Sequence, residues 1–528
     1  MKLSPLVLVL AIGWAAPLLA APPADFDRRV EQLRTSFGVP GVSIAIVENG
    51  ETILARGYGV RGLADPRAVD RDTIFSTGST GKAFTAAALA ILVDEGKIGW
   101  DDKVIDHLPG FRMFDAWVTR EMTVRDLLVH RSGLGLGAGD LLFLPRSSLP
   151  RKESVRRLRH LKPATSFRSG YAYDNVLYMV AGQLIEEVTG TTWEQFVKER
   201  VFRPAGMTRS TVDSPTRLAT TNRARPHARL DGAIRGLGSQ GPLDEIQSDL
   251  GANAAPAGGL AISANDMAKW LQIQLGKGQA KGSSTRLFSE ATATEMWKPV
   301  VLQPISPAPA DLKPSQPMFS TYALGWTVQD YRGARLVWHG GAVLGSLAAV
   351  ALLPDSNVGL FIAANSEEGE LVRGLMYELL DHYLDKPRHQ WPEKLAAFKA
   401  SRAQAAVKML QAPAAQPAAI GPSLPLPRYA GRFNDPWYGT IDVRQDGSRL
   451  AIDFPHSPGM TATLQHHQYD TFRTVFADKG IEPAYVTFSL GADGKVDRIT
   501  MKAISPIADF SWNYHDLLFT PVNAISQR

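Results

Sequence analysis

The chain has 528 residues, 45% apolar and 21% charged, with 46 glycines and 35 prolines, a composition that excludes a fibrous or disordered chain and predicts two or more domains. Its 57 basic and 52 acidic residues leave a net charge of +5, spread out rather than gathered into the basic stripe that a nucleic-acid partner requires, so none is expected. There is no cysteine, which excludes disulfides, a lipidated Cys, a thiolate nucleophile and thiolate metal sites. At the N-terminus, Lys2, the apolar run Leu6–Ala16 and Pro17-Leu-Leu-Ala20-Ala21 read as a signal peptide over residues 1–21, cut after Ala20 or Ala21; the alternative is an uncleaved anchor. The run is short for a spanning helix of about 20 residues. The mature protein is therefore expected to be exported, periplasmic or secreted, and not membrane-spanning.

Residues Asp25–Ser36 predict a first helix. Two strands follow, Gly41–Val47 and Thr52–Val60, and Asn49-Gly50 between them is a strong hairpin signal. Lys82–Glu95 is built of helix formers and ends at Gly96, a left-handed stop. After Asn175, Leu177, Val180, Ala181, Leu184, Ile185 and Val188 recur at helical spacing up to Gly190. Ser210–Pro256 is polar and irregular and Pro304–Pro317 is proline-rich, so both read as surface loops. Arg335–His339, Gly345–Leu353 and Val358–Ala364 read as successive strands, with a turn at Asp355-Ser356-Asn357, and Glu370–Leu384 as a closing amphipathic helix. This order predicts an α+β or mixed α/β layer fold. Gln411–Pro427, rich in Ala and Pro, reads as a semi-rigid linker, and beyond it about eight short strands, with turns at Asp446-Gly447 and Asp493-Gly494, predict a separate small β-barrel or sandwich.

Chemistry concentrates in three places. Phe75-Ser-Thr-Gly-Ser79-Thr-Gly-Lys82 sets a Ser and a Lys three apart at a helix start, on one face. There Ser79 meets orphan N–H groups and the positive helix end, and Lys82 can take its proton if burial depresses the amine. Tyr173-Asp174-Asn175, before the second helix, supplies a phenol for proton transfer and an amide for a substrate carbonyl. His339-Gly340-Gly341 follows a strand, where two glycines admit a substrate backbone and expose N–H groups to an oxyanion. His130 reads as a structural histidine. His466-His467 point to opposite faces of a strand, so no metal pair is expected there, and no metal or cofactor is implied.

These three elements, with Thr123-Val-Arg-Asp-Leu-Leu-Val-His130-Arg-Ser-Gly-Leu, Pro204-Ala-Gly-Met, Pro256-Ala-Gly-Gly-Leu and Tyr322-Ala-Leu-Gly-Trp326, resemble the serine β-lactamase and penicillin-binding protein family, in its class C-like branch of esterases, D-amino-acid peptidases and carboxypeptidases. The resemblance covers about residues 28–385. It implies a β-lactamase/transpeptidase-like fold, an antiparallel sheet flanked by helices plus a helical subdomain, over 25–385. It also implies acyl transfer through Ser79, with Lys82 and Tyr173 sharing the proton work, Asn175 holding the substrate amide, and the N–H groups of Ser79 and Ala342, after Gly340 and Gly341, forming the oxyanion hole. At His339 a Lys is usual, so binding of a substrate carboxylate through this residue is expected to be weaker.

Residues 386–427 then form a helical and Ala/Pro-rich linker. Residues 428–528, with Tyr429-Ala-Gly-Arg-Phe, Tyr438-Gly, Asp446-Gly-Ser-Arg-Leu and Asp470-Thr-Phe, resemble the lipocalin-like accessory domain of such hydrolases; two readings stay open for it, a structural appendage or a role in covering the cleft or in assembly. The expected partner is a small-molecule or peptide substrate, with a homo-oligomer left open. The expected function is that of an exported peptidase or amidase on small or D-residue-containing peptides, the alternatives being a carboxylesterase and a non-hydrolysing penicillin-binding sensor.

Overall fold

The computed structural model describes residues 21–411 and 420–522; the signal-peptide stretch up to Ala20 and residues 412–419 of the expected linker lie outside the described residues. After helix α1 (Phe26–Ser36) come strands β1 (Gly41–Glu48) and β2 (Glu51–Gly62). Asn49 and Gly50 between them have φ of 52° and 80°, the left-handed pair that a two-residue type I′ turn demands. Strands β3 (Asp65–Ala68), β4 (Val301–Leu302), β5 (Ser320–Tyr322), β6 (Thr327–Tyr331), β7 (Ala334–Val343), β8 (Ser346–Leu353) and β9 (Val358–Ala364) complete a nine-stranded sheet. Its order is β3-β2-β1-β9-β8-β7-β6-β5-β4, antiparallel throughout. Strand β7 runs past the expected end at His339, because Gly340 and Gly341 pair with Ala349 and Ala348 of β8.

Helices α2 (Lys82–Asp94), α3 (Val176–Thr189), α4 (Gly251–Gly258), α5 (Ala264–Leu275), α6 (Gly369–Tyr383) and α7 (Trp391–Gln411) surround the sheet. Strands β1 and β9 are buried at every position because both faces are covered. Ile44, Ile46, Leu360 and Ile362 join α1 and α6 in one core; Ala45, Val47, Phe361 and Ala363 join α2, α3 and α5 in the other. Helix α2 is buried from Lys82 to Leu92, as befits a helix that is apolar all round.

One expectation is corrected. The end of the Ser210–Pro256 stretch is core, not surface loop: Asn253–Gly258 of α4 is buried. Its small residues let it lie close against α3, where a Cβ at Gly182 would stand 2.3 Å from Pro256 Cγ.

The C-terminal part is a closed eight-stranded barrel, with strands β10 (Gly431–Asp435), β11 (Gly439–Asp446), β12 (Arg449–Asp453), β13 (Thr461–Gln468), β14 (Thr471–Phe476), β15 (Ala484–Leu490), β16 (Val496–Ala503) and β17 (Leu518–Pro521). Alternate residues such as Ile441, Val443, Leu450, Ile452, Phe472, Phe488 and Phe519 fill it, and closure removes the free edges. It is seated on the main domain: Ser148 N donates to His456 O (2.8 Å) and Arg235 Nη1 to Gly480 O (2.8 Å). No helix among the described residues is long and apolar enough to cross a membrane.

Candidate active site

Ser79 sits in a single 3₁₀ turn, Gly78–Gly81, that runs directly into α2 at Lys82. Gly78 has φ +52° and an added Cβ there would lie 2.5 Å from Ala342 N, so only glycine lets the turn press against β7. The Lys82 side chain is fully buried. Its Nζ lies 3.0 Å from Ser79 Oγ, 2.7 Å from Asn175 Oδ1 and 3.0 Å from Ala257 O. Burial lowers its pKa to about 7, against the opposing pull of the Asp140 and Asp174 carboxylates. Two of the three partners are carbonyl oxygens that can only accept. A neutral Lys82 therefore spends both N–H bonds on Asn175 and Ala257 and turns its lone pair to the Ser79 hydroxyl.

Asn175 is bound at both ends. Oδ1 takes Lys82, and Nδ2 donates to Asp140 Oδ2 at 2.9 Å, which leaves one amide N–H for a substrate carbonyl. Ser511 Oγ donates to the same Asp140 oxygen at 2.8 Å. Asp140 is buried, and burial raises its pKa to about 8. Tyr173 faces the same centre: Lys82 Nζ lies 4.9 Å from its ring centroid, burial raises its pKa well above 10, and the neighbouring Ser79 hydroxyl pulls the other way. At neutral pH it is a phenol. Sequence reasoning missed Asp140, Ala257 and Ser511. Asp140 closes the glycine-rich run Gly133-Leu-Gly-Leu-Gly137-Ala-Gly-Asp140, a signal that was there to be read, whereas Ala257 acts through its backbone.

The N–H groups expected to hold an oxyanion meet where three glycines converge. A Cβ on Gly341 would fall 1.9 Å from Thr77 O and 3.1 Å from Ser79 N, and one on Gly258 would fall 2.7 Å from Gly78 C and 3.1 Å from Ser79 N. Gly341→Ala is expected to push β7 off the Ser79 turn and slow acylation by p-nitrophenyl acetate on the order of 10²-fold or more, with an overpacking cost of about 1–3 kcal/mol seen in a thermal melt. An unchanged acylation rate would take Ala342 N–H out of the site.

The Beta-lactamase family profile matches residues 26–383. The chain belongs to the beta-lactamase family. A domain of unknown function (DUF3471) matches residues 415–521. The chain is 29% identical to unguisins hydrolase ungD' of Aspergillus campestris, over 80% of this chain and 78% of that protein. It is 28% identical to unguisins hydrolase ungD of Aspergillus violaceofuscus, over 87% and 84%, and 28% identical to penicillin-binding protein 4 of Amycolatopsis lactamdurans, over 65% and 85%. The octameric penicillin-binding protein homologue from Pyrococcus abyssi superposes with a TM-score of 0.57 at 20% identity, over 91% of this chain and 98% of that one, a likeness of fold.

In this beta-lactamase-family site His339 is turned inward. Nδ1 donates to Gly340 O at 2.5 Å, which makes Nε2 the acceptor of the Tyr322 hydroxyl at 2.7 Å. Burial, and then the charge of Lys82, lower its pKa to about 3, so the ring is neutral. Both ring nitrogens are thus occupied within the protein, and neither is free for the substrate contact expected of this residue. His130 is a buried structural ring beneath the site: its centroid is 4.2 Å from that of Tyr173 and 4.5 Å from that of Tyr322, and Nδ1 accepts from Asp174 N at 3.2 Å.

Proposed function

We propose that the protein is an exported serine hydrolase that works through an acyl-enzyme on Ser79, as a peptidase or amidase on small or D-residue-containing peptides. The observation that carries this reading is the Lys82 amine, lowered toward neutrality by burial and held by two acceptor-only carbonyls with its lone pair toward Ser79. As Ser79 Oγ attacks the carbonyl carbon, its proton passes to Lys82 Nζ. The negative oxygen that results lies between the N–H groups of Ser79 and Ala342. Tyr173, as a neutral phenol, donates its proton to the leaving nitrogen, the C–N bond breaks, and the Lys82 ammonium restores the phenol. Water then attacks the ester carbonyl, giving its proton to the Tyr173–Lys82 pair; the bond between the acyl carbon and Ser79 Oγ breaks, the pair returns the proton to Ser79 Oγ, and the carboxylic acid leaves. Relatives named hydrolases, at 28–29% identity over most of the chain, support a hydrolase. The choice of a peptide substrate rests on the N-terminal export pattern and the accessory domain, and export itself rests on the N-terminal pattern.

The neutral, internally bonded His339 favours a second reading, a carboxylesterase, since a site with no cation at this position suits uncharged esters and blocked peptides. A panel of chromogenic esters, L- and D-aminoacyl anilides and a penicillin, with turnover followed by absorbance and acylation by mass spectrometry, separates the readings. Turnover of anilides, the D-series above the L-series, is the expected result. Turnover of esters alone would move the assignment to the esterase, and acylation by penicillin without any turnover would make the protein a sensor.

A further inference from the structure

The chain between β16 and β17 leaves the barrel and enters the wall of the site. Phe510 sets its ring edge-on to Tyr173, centroids 5.8 Å apart. Its carbonyl stands 2.6 Å from the place a Cβ would take on Gly137, whose φ is +71°, so this segment lies against a main-domain loop that has no side chain there. The next residue, Ser511, is buried and donates to Asp140 Oδ2 at 2.8 Å. The same oxygen receives Asn175 Nδ2, and the other end of Asn175 receives Lys82. An unbroken chain of hydrogen bonds, Ser511–Asp140–Asn175–Lys82–Ser79, thus joins the barrel to the serine. Asp140 Oδ1 has no hydrogen-bond partner among the described residues, so Oδ2 carries both contacts that hold this carboxyl in place.

We propose that Ser511 is a positioning residue of the acyl-transfer site: the C-terminal barrel completes the catalytic network by holding Asp140, and through it Asn175 and the Lys82 amine. The inference rests on the reading of Lys82 as the base for Ser79. It gives the barrel a part in catalysis, and it follows from where the loop ends.

Asp140, raised to about 8 by burial, is largely a neutral acid where Lys82 titrates, so what Ser511 supplies is position and not charge. With Oδ1 unpartnered, loss of the Ser511 hydroxyl leaves Asn175 Nδ2 as the one bond on this carboxyl among the described residues, and the Asn175 amide and the Lys82 amine lose their fixed places. The measurement is labelling of Ser79 by a fluorophosphonate on the full-length protein, with the maximal labelling rate and the half-saturating probe concentration read separately. In Ser511→Ala the maximal rate falls several-fold while the half-saturating concentration stays near that of the parent. Ser511→Thr, which restores the hydroxyl, returns the rate to the parent value. Asp140→Ala, made within the main domain, lowers the maximal rate at least as far and serves if Ser511→Ala does not fold. A maximal rate unmoved in folded Ser511→Ala, or in Asp140→Ala where that variant must stand in for it, overturns the proposal. Absence of Ser79 labelling in the parent overturns the reading of Ser79 and this proposal with it, so the two failures are distinct.

Discussion

Ser79→Ala abolishes covalent labelling by a fluorophosphonate or β-lactam and lowers turnover by roughly 10⁴-fold or more. The expectation follows from the position of Oγ, 3.0 Å from a buried amine at the start of a buried helix. Removing the hydroxyl removes the atom that forms the acyl bond, while the two carbonyls that hold Lys82 remain. The fold should be indifferent, since no other hydrogen bond of the Ser79 hydroxyl is needed to close the turn, and the melting temperature of the variant checks this. Intact-mass spectrometry of parent and variant after incubation with the probe decides the matter. Adduct formation at another serine, with the variant still turning substrate over, would remove Ser79 from the mechanism.

The second large effect is on the proton path. Lys82→Ala and Tyr173→Phe are each expected to lower kcat by roughly 10²–10⁴-fold, the usual contribution of a positioned acid or base, with smaller changes in KM. In the proposed mechanism the two groups serve one transfer. Lys82 is lowered toward neutrality and Tyr173 is held as a phenol, so the first can accept a proton from Ser79 and the second can deliver one to the leaving group. Once either is gone the route is broken, and the double variant should be scarcely slower than the worse single one. Rate losses that multiply in full would mean two independent paths. Single-turnover rates on one chromogenic substrate for the four proteins give the answer.

How far the molecule could be read in advance varies with the kind of contact. Ser79, Lys82 and Tyr173 stood out because acyl transfer needs those side chains in fixed local patterns, and the Asn49-Gly50 hairpin because its backbone handedness admits few residues. The barrel announced itself through regular turns, two of them at Gly447 and Gly494, which have φ of +57° and +71°. Asp140 was marked only by the glycine-rich run that it closes, and the Ala257 carbonyl has no residue type to betray it. Ser511 meets Asp140 from 371 residues away, a distance along the chain over which no pattern speaks. His339 was placed in the right strand, but the direction of its ring is decided by Tyr322, a residue of another strand of the sheet. Helix α4 lies at the end of a polar, irregular stretch that reads as loop, and it carries Pro256 inside it; a proline is tolerated where tertiary packing holds a short helix together.

The meeting of Gly78, Gly258 and Gly341 around Ser79 N bears on how such a protein can change over time. Those three positions come from a turn, a helix and a strand that have no slack between them, so a side chain gained at one cannot be absorbed by a neighbour. The wall made by the loop containing Gly137 and the barrel segment containing Phe510 is just as close, since a Cβ on Gly137 would stand 2.6 Å from Phe510 O, so a side chain gained there would part the barrel from the main domain.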